Sequence, residues 1–322
     1  MEVLEFREEG IYCPAGEFYI DPVRPVNKAV ITHAHSDHAK AGMKSYLCHS
    51  RSKETLRLRL GQNISVEHLE YGQSVCIGPV RLSLHPSGHV PGSAQVRVEY
   101  KGEVWVASGD YKIENDGLCT GFESVPCHSF ISECTFGLPV FNWLPQKMIF
   151  DEIENWWIEN ARRRKVSILY AYSLGKAQRI IHNLKDKGIL AAHETILKTN
   201  KALNKDGYHL PDIASPNQLS KEELSRSLVI TPSFSKTPDW LDKSIDYSTG
   251  NCSGWMAIRD LRIRGNADFG FVLSDHADWK GLLEAVEACG ARKVIVNHGY
   301  TAPFARYLRE KGIEAIEAPK IS

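Results

Sequence analysis

The run Ile31-Thr32-His33-Ala34-His35-Ser36-Asp37-His38-Ala39 decides how this chain is read. It sets three imidazoles and a carboxylate within six residues, directly after the apolar stretch Lys28-Ala29-Val30-Ile31-Thr32. That stretch reads as the end of a buried strand. His33 and His35 alternate in an extended segment and can share one ion. Asp37 and His38 are expected to begin the next helix and to turn toward a second ion. Imidazole with carboxylate suits Zn²⁺, or Mn²⁺ where the oxygen share is high.

The same placement recurs along the chain. His89 lies in the loop His85-Pro86-Ser87-Gly88-His89-Val90-Pro91-Gly92, whose glycines and prolines shape a rigid turn. His85 itself reads as packed or as a support for a ligand. Trp105-Val106-Ala107-Ser108-Gly109-Asp110 is a strand running into a carboxylate that can bridge two cations. Phe130-Ile131-Ser132-Glu133 repeats the pattern, as do the strands ending in Ser274-Asp275-His276 and Asn297-His298-Gly299. In a layered α/β fold such strand ends share one edge and form the site. Asp21, after Phe18-Tyr19-Ile20, is read equally well as a turn former and as a carboxylate that orients a ligand histidine.

The chain has 322 residues, 43% hydrophobic and 24% charged, with 39 basic and 39 acidic side chains. The balance removes any argument for nucleic acid from global charge, so a binding surface has to be local. Arg51, Lys53, Arg57 and Arg59 form such a local ridge, either a solvated helix face or a phosphate-contacting one. The eight cysteines are scattered without a C-x-x-C pair and read as reduced thiols of a cytoplasmic protein. The charged start, Met1 to Gly10, has no signal-peptide character, and no apolar run is long enough for a membrane span.

From about Pro139 the texture changes to alternating strands and helices of parallel character. The expected division is residues 1–139, an inserted block at 140–245, and 246–322. Within the insert, Tyr172-Ser173-Leu174-Gly175-Lys176 marks a strand giving way to a helix. Ser173, Gly175 and Lys176 are candidates for holding a terminal phosphate, against the plainer reading of Lys176 as an exposed helix lysine. Ser233 and Ser253 are weaker candidates.

His33-x-His35-x-Asp37-His38 resembles the signature of the metallo-β-lactamase fold, with His89 and Asp110 matching its next two motifs. Glu133, His276 and His298 are similar to the three motifs of the β-CASP nuclease branch. The resemblance implies an αββα sandwich carrying an inserted β-CASP α/β domain. Tyr12-Cys13-Pro14-Ala15-Gly16, Ser108-Gly109-Asp110-Tyr111-Lys112 and Glu133-Cys134-Thr135-Phe136-Gly137-Leu138-Pro139 resemble the bacterial ligase-associated DNA exonucleases. This family resemblance implies two divalent ions, the first held by His33, His35, His89 and Asp110, the second by Asp37, His38, Asp110 and His298. It implies a hydroxide between the ions attacking a phosphodiester, with Asp37, His276 and Glu133 as catalytic residues. His276 protonates the leaving oxygen or grips the phosphate, and Glu133 orients it. The expected substrate is single-stranded or end-containing DNA, degraded 5′ to 3′ in repair, beside an ATP-dependent ligase and a helicase in a bacterial cytoplasm. RNA is the alternative, because a histidine at the last motif, here His298, is typical of RNA-processing members. A catalytically silent scaffold and a small-molecule hydrolase are the readings from other classes. The intact set of metal and acid positions argues against the former, and the insert with Glu133 and His276 against the latter.

Overall fold

Alternation of apolar and polar residues builds the first part of the chain into sheets. In β8 (Val80–Pro86) and β9 (Ala94–Tyr100), Val80, Leu82, Leu84, Ala94, Val96 and Val98 all point inward and are fully buried. Each such side chain contributes about 1.5–3 kcal/mol on burial. The computed structural model describes residues 2–232, 240–241, 244–258 and 267–319. It is a mixed α/β fold that divides into two units, residues 1–142 with 276–322, and residues 143–275.

The first unit holds two sheets. One runs in chain order through β1 (Glu5–Arg7), β2 (Gly10–Cys13), β3 (Phe18–Ile20), β4 (Lys28–Val30), β5 (Ser45–His49) and β6 (Val66–Leu69). Its pairing is antiparallel to β3 and parallel beyond. The other contains β7 (Ser74–Ile77), β8, β9, β10 (Glu103–Ala107), β11 (Ser129–Cys134), β17 (Lys293–Gly299) and β18 (Glu314–Glu317), in the order β18-β17-β11-β10-β9-β8-β7. Phe18, Ile20 and Val30 from the first sheet and Leu82, Val96, Trp105, Ile131 and Ile295 from the second share one core. Val106, Phe130, Val294 and Val296 face the other way. They pack on α6 (Trp279–Cys289) and α7 (Thr301–Glu310) through Leu282, Val286, Phe304 and Leu308. Strands β10, β11 and β17 are thus buried on both faces, which is why they read as continuous apolar runs.

Parallel register does the positioning. Ala107 pairs with Ile131, and Ile131 with Ile295. The three strands therefore end at one edge, where Asp110 follows β10 and Glu133 and His298 lie in the last residues of β11 and β17.

The second unit is a parallel sheet, β13 (Leu190–Ala192), β14 (Leu228–Thr231), β12 (Val166–Tyr170), β15 (Tyr247–Cys252) and β16 (Phe269–Phe271). Helix α2 (Gln146–Arg162) lays Ile149, Phe150, Ile153, Trp156 and Trp157 on it with helical periodicity. Because β15 pairs with β12 and β16 with β15, this unit continues to Asp275 instead of closing at 245 as expected. Sheet pairing, invisible as local texture, sets that boundary.

The helix expected after His38 is a single turn, closed by Ala39 N–H donating to the His35 carbonyl at 2.8 Å. Gly42, at a φ of +97°, leads the chain out of it toward β5 before a second turn can form.

Candidate metal centre

The site is assembled where the two sheets of the first unit meet. Ile31 N–H still donates to Leu47, prolonging β4, and Ala94 N–H donates to the Thr32 carbonyl across the sheets at 2.8 Å. His33 and His35 follow on this extended segment. Gly109 has a φ of +56°, and a Cβ there would lie 2.7 Å from the Thr32 Cβ. Only glycine lets the chain after β10 pass this close, and that passage brings Asp110 to His33. His89 is set by a loop that Ser87, Val90 and Ser93 close on themselves. At Gly88 a side chain would collide with the Lys112 carbonyl.

Four donors converge. His33 Nε2 lies 3.1 Å from His35 Nδ1, which lies 3.2 Å from His89 Nε2. Asp110 Oδ2 is 3.6 Å from both His33 Nε2 and His89 Nε2. Zinc bonded to nitrogen at about 2.0–2.1 Å in a tetrahedron separates its donors by about 3.3 Å, so these edges fit such an ion. Burial, with His38 and His89 nearby, holds the His33 imidazole well below its ordinary pKa. It is therefore neutral, the form that offers a lone pair. Burial pushes the Asp110 carboxyl up, but His38 and His276 outweigh it and hold the group ionised, well below the usual range.

A second set of donors adjoins the first through Asp110. His38 Nε2 is 3.5 Å from Asp110 Oδ2 and 3.8 Å from Asp37 Oδ2. The His298 ring centre lies 5.6 Å from that of His38. Asp37 and His298 are exposed, and both line a cavity of about 410 Å³ with His38, Asp21, Thr32 and Glu133. His298 has a φ of +56°, rare for a residue with a side chain, and Cys134 Sγ donates to its carbonyl at 2.8 Å. Burial favours neutral His38, yet the Asp110 and Asp21 carboxylates lift its pKa well above the ordinary value. A position that favours a proton this strongly between carboxylates also favours a metal cation.

Among the described residues a further tight group is Asp110, Glu133 and His276. Its geometry is that of an oriented base. His276 Nδ1 lies 2.9 Å from both Glu133 oxygens. Glu133, itself buried, also accepts from the Tyr111 N–H at 2.8 Å. Thr135 N–H adds a weaker donor at 3.4 Å, so Glu133 is held from several sides and in turn fixes the His276 ring through Nδ1.

Asp21 proves to be an orienting carboxylate. It accepts from Thr32 N–H at 2.8 Å, from Thr32 Oγ1 at 2.5 Å, and from His38 Nδ1 at 2.7 Å. Sequence reading does not single out Thr32, whose hydroxyl also lies 3.1 Å from His33 Nδ1. Nothing local signals it; its role exists only once Asp21 sits opposite. His85 is held by Ser83 and Glu123. On the basic ridge, Arg57 pairs with Glu54, and Arg59, its pKa lowered by burial, feels the opposing charge of Asp37.

In the second unit the phosphate candidates are internally committed. Lys176 is buried, with Nζ 3.0 Å from Asp275 Oδ2, so it is neither an exposed lysine nor an open cradle. Gly175 N–H donates to Gln178 Oε1 at 2.7 Å, and Ser173 Oγ lies 3.2 Å from Thr195 Oγ1. Arg179 also pairs with Asp275. Asp278 caps α6, accepting from Gly281 N–H at 2.8 Å. Ser253 caps a short turn at Trp255, and Ser233 lies outside the described residues.

No family model matches the chain. A probable DNA ligase of Opitutus terrae is 30% identical over 316 residues, a match that takes in 95% of this chain and 30% of the ligase. The chain thus spans about 30% of the length of that curated relative. A crystal structure of a protein of unknown function from Enterococcus faecalis V583 superposes with a TM-score of 0.58 at 11% identity, over 92% of this chain and 80% of that one. That likeness is one of fold alone. The clustered histidines, aspartate and glutamate form two groups that could hold metal ions, an arrangement consistent with a metal-dependent hydrolase, and no helix among the described residues is long and apolar enough to cross a membrane.

Proposed function

We propose that the chain is a nuclease of the metallo-β-lactamase fold and β-CASP branch, a DNA exonuclease working 5′ to 3′ on 5′-phosphorylated strands. The observation that carries this is the Glu133–His276 pair beside the His/Asp cluster. A hydrolase of small neutral substrates needs the metal donors alone. An oriented imidazole next to them supplies a proton donor for an alkoxide leaving group, as phosphodiester cleavage requires. The match to part of a DNA ligase supports DNA as the substrate and DNA repair as the setting.

His33, His35, His89 and Asp110 would hold one divalent ion, and Asp37, His38, Asp110 and His298 a second. When bound, such ions supply a nucleophile at neutral pH and offset charge on the phosphoryl oxygens. The chain's own residues do the rest. Asp21 keeps the proton of His38 on Nδ1, which leaves Nε2 as the donor facing Asp110. Glu133 likewise fixes His276 so that its outer nitrogen meets the leaving oxygen or the phosphate. Arg59, near Asp37, adds positive charge for a polyanion.

The test is degradation of end-labelled single-stranded DNA and RNA, each with a 5′-phosphate or a 5′-hydroxyl, in Zn²⁺ or Mn²⁺. Faster loss of 5′-phosphorylated DNA is expected. Preference for RNA would favour the second reading, an RNA-processing nuclease, for which the histidine at position 298 speaks. Indifference to end group and sugar would overturn the exonuclease assignment.

A further inference from the structure

The structure assigns a reversible oxidation site, remote from the metal cluster, to Cys127 and Cys289, which close to a disulfide under a peroxide. The two residues are far apart in sequence but adjacent in the first unit. Cys127 N–H donates to the Cys289 carbonyl at 3.1 Å. Standard backbone dimensions then keep the two Cα atoms within about 7 Å, the range in which a disulfide can close. Both side chains belong to the same apolar cluster, where Cys289 Sγ donates to the Val286 carbonyl at 3.2 Å.

The surrounding backbone holds this juxtaposition. Arg292 and Lys293 N–H groups both donate to the His128 carbonyl, at 3.0 and 3.2 Å, so the segments on either side of the thiols are clamped together. Cys289 ends α6, and Gly290 turns the chain with a φ of +63°. The neighbouring thiol holds Cys289 below the ordinary thiol pKa and pushes Cys127 above it, which favours Cys289 as the attacking thiolate. Cys127 is 9% exposed and Cys289 3%, so a small oxidant such as hydrogen peroxide has to reach the pair from the Cys127 side. All eight cysteines are free thiols.

The chemistry balances with hydrogen peroxide as the oxidant. The Cys289 thiolate attacks one peroxide oxygen and the O–O bond breaks, giving a sulfenic acid and, after protonation, water. The Cys127 sulfur then attacks the Cys289 sulfur. The S–O bond breaks, the S–S bond forms, and a second water leaves with the thiol proton. The resulting bridge ties the entry of β11, which carries Glu133, to the end of α6, which follows His276. It leaves the metal donors untouched.

The experiment is mild oxidation of the intact chain with hydrogen peroxide, quenching of free thiols, and peptide mapping without reductant. The expected result is a Cys127–Cys289 cross-linked peptide, 2 Da lighter than the two reduced peptides together. The melting temperature should rise by several degrees and fall back on adding a thiol reductant. C127S and C289S should each abolish both changes. Because mapping reads the wild-type chain, the outcome does not depend on either variant folding. Both cysteines alkylated and unbridged, or sulfinic acids in place of a bridge, would overturn the assignment.

Discussion

Asp21 Oδ2 sits 2.7 Å from His38 Nδ1, and it does so from a backbone with a φ of +45°. Left-handed aspartate costs less than most residues, because its short side chain bonds locally. Here that conformation places a carboxylate between Thr32 and His38 and fixes which nitrogen of His38 is exposed. D21N keeps the backbone preference but puts an amide NH₂ against a donor whichever way it flips. Metal affinity should fall about 10–100-fold, measured by metal content after dialysis against a competing chelator. Undiminished content would remove the orienting role.

The Glu133–His276 pair predicts a separation of metal binding from turnover. H276A should retain the bound metal of the wild type yet lose about 100-fold or more of its phosphodiesterase rate. E133Q should lose less and should move the pH profile, since His276 no longer faces a charge. Loss of metal in H276A would place His276 among the ligands instead.

His49 provides a pH prediction away from the cluster. Its ring stacks on Tyr71 at 3.5 Å, it is 1% exposed, and burial lowers its pKa to about 4. The unfolded chain takes up that proton near the ordinary value of 6.5. The contribution to stability is therefore complete above pH 6.5 and is lost as the pH falls to 4, by about 3 kcal/mol. H49Q lacks the term. The stability advantage of wild type over H49Q in urea should shrink by about that amount between pH 7 and pH 4. A gap independent of pH would sink the idea.

In the second unit, Asp275 faces both Lys176 and Arg179, all three buried. Arg179 Nε and Nη1 have no other hydrogen-bond partner. D275N would leave two buried cations without a countercharge and should cost about 3–5 kcal/mol, read from urea unfolding. A loss under 1 kcal/mol would show that the cations reach water when the carboxylate goes.

Much of the local structure was legible from residue order. The strands read at Trp105-Val106-Ala107 and at Phe130-Ile131-Ser132-Glu133 lie within β10 and β11, because an apolar run is a local property of the chain. The turn after His38 was not, since its length is set by where β5 must begin. Nor was the limit of the second unit, because β15 belongs to it through pairing with β12, about eighty residues earlier, and β16 through pairing with β15. Lys176 shows the same gap: its position at a helix start suggested an anion from outside, and Asp275 provides one from within.

The sequence by itself determined the chemistry on offer: which side chains carry a lone pair or a charge, and that so many follow strands. Those are covalent facts. Only the tertiary structure decided which of them meet. His35 and His89 are 54 residues apart, and Glu133 and His276 are 143 apart. Parallel register brings the ends of β10, β11 and β17 to one edge, Gly109 lets Asp110 pass Thr32, and Asp21 chooses the nitrogen that His38 presents. Convergence of this kind is a property of packing between distant segments, and no local pattern encodes it.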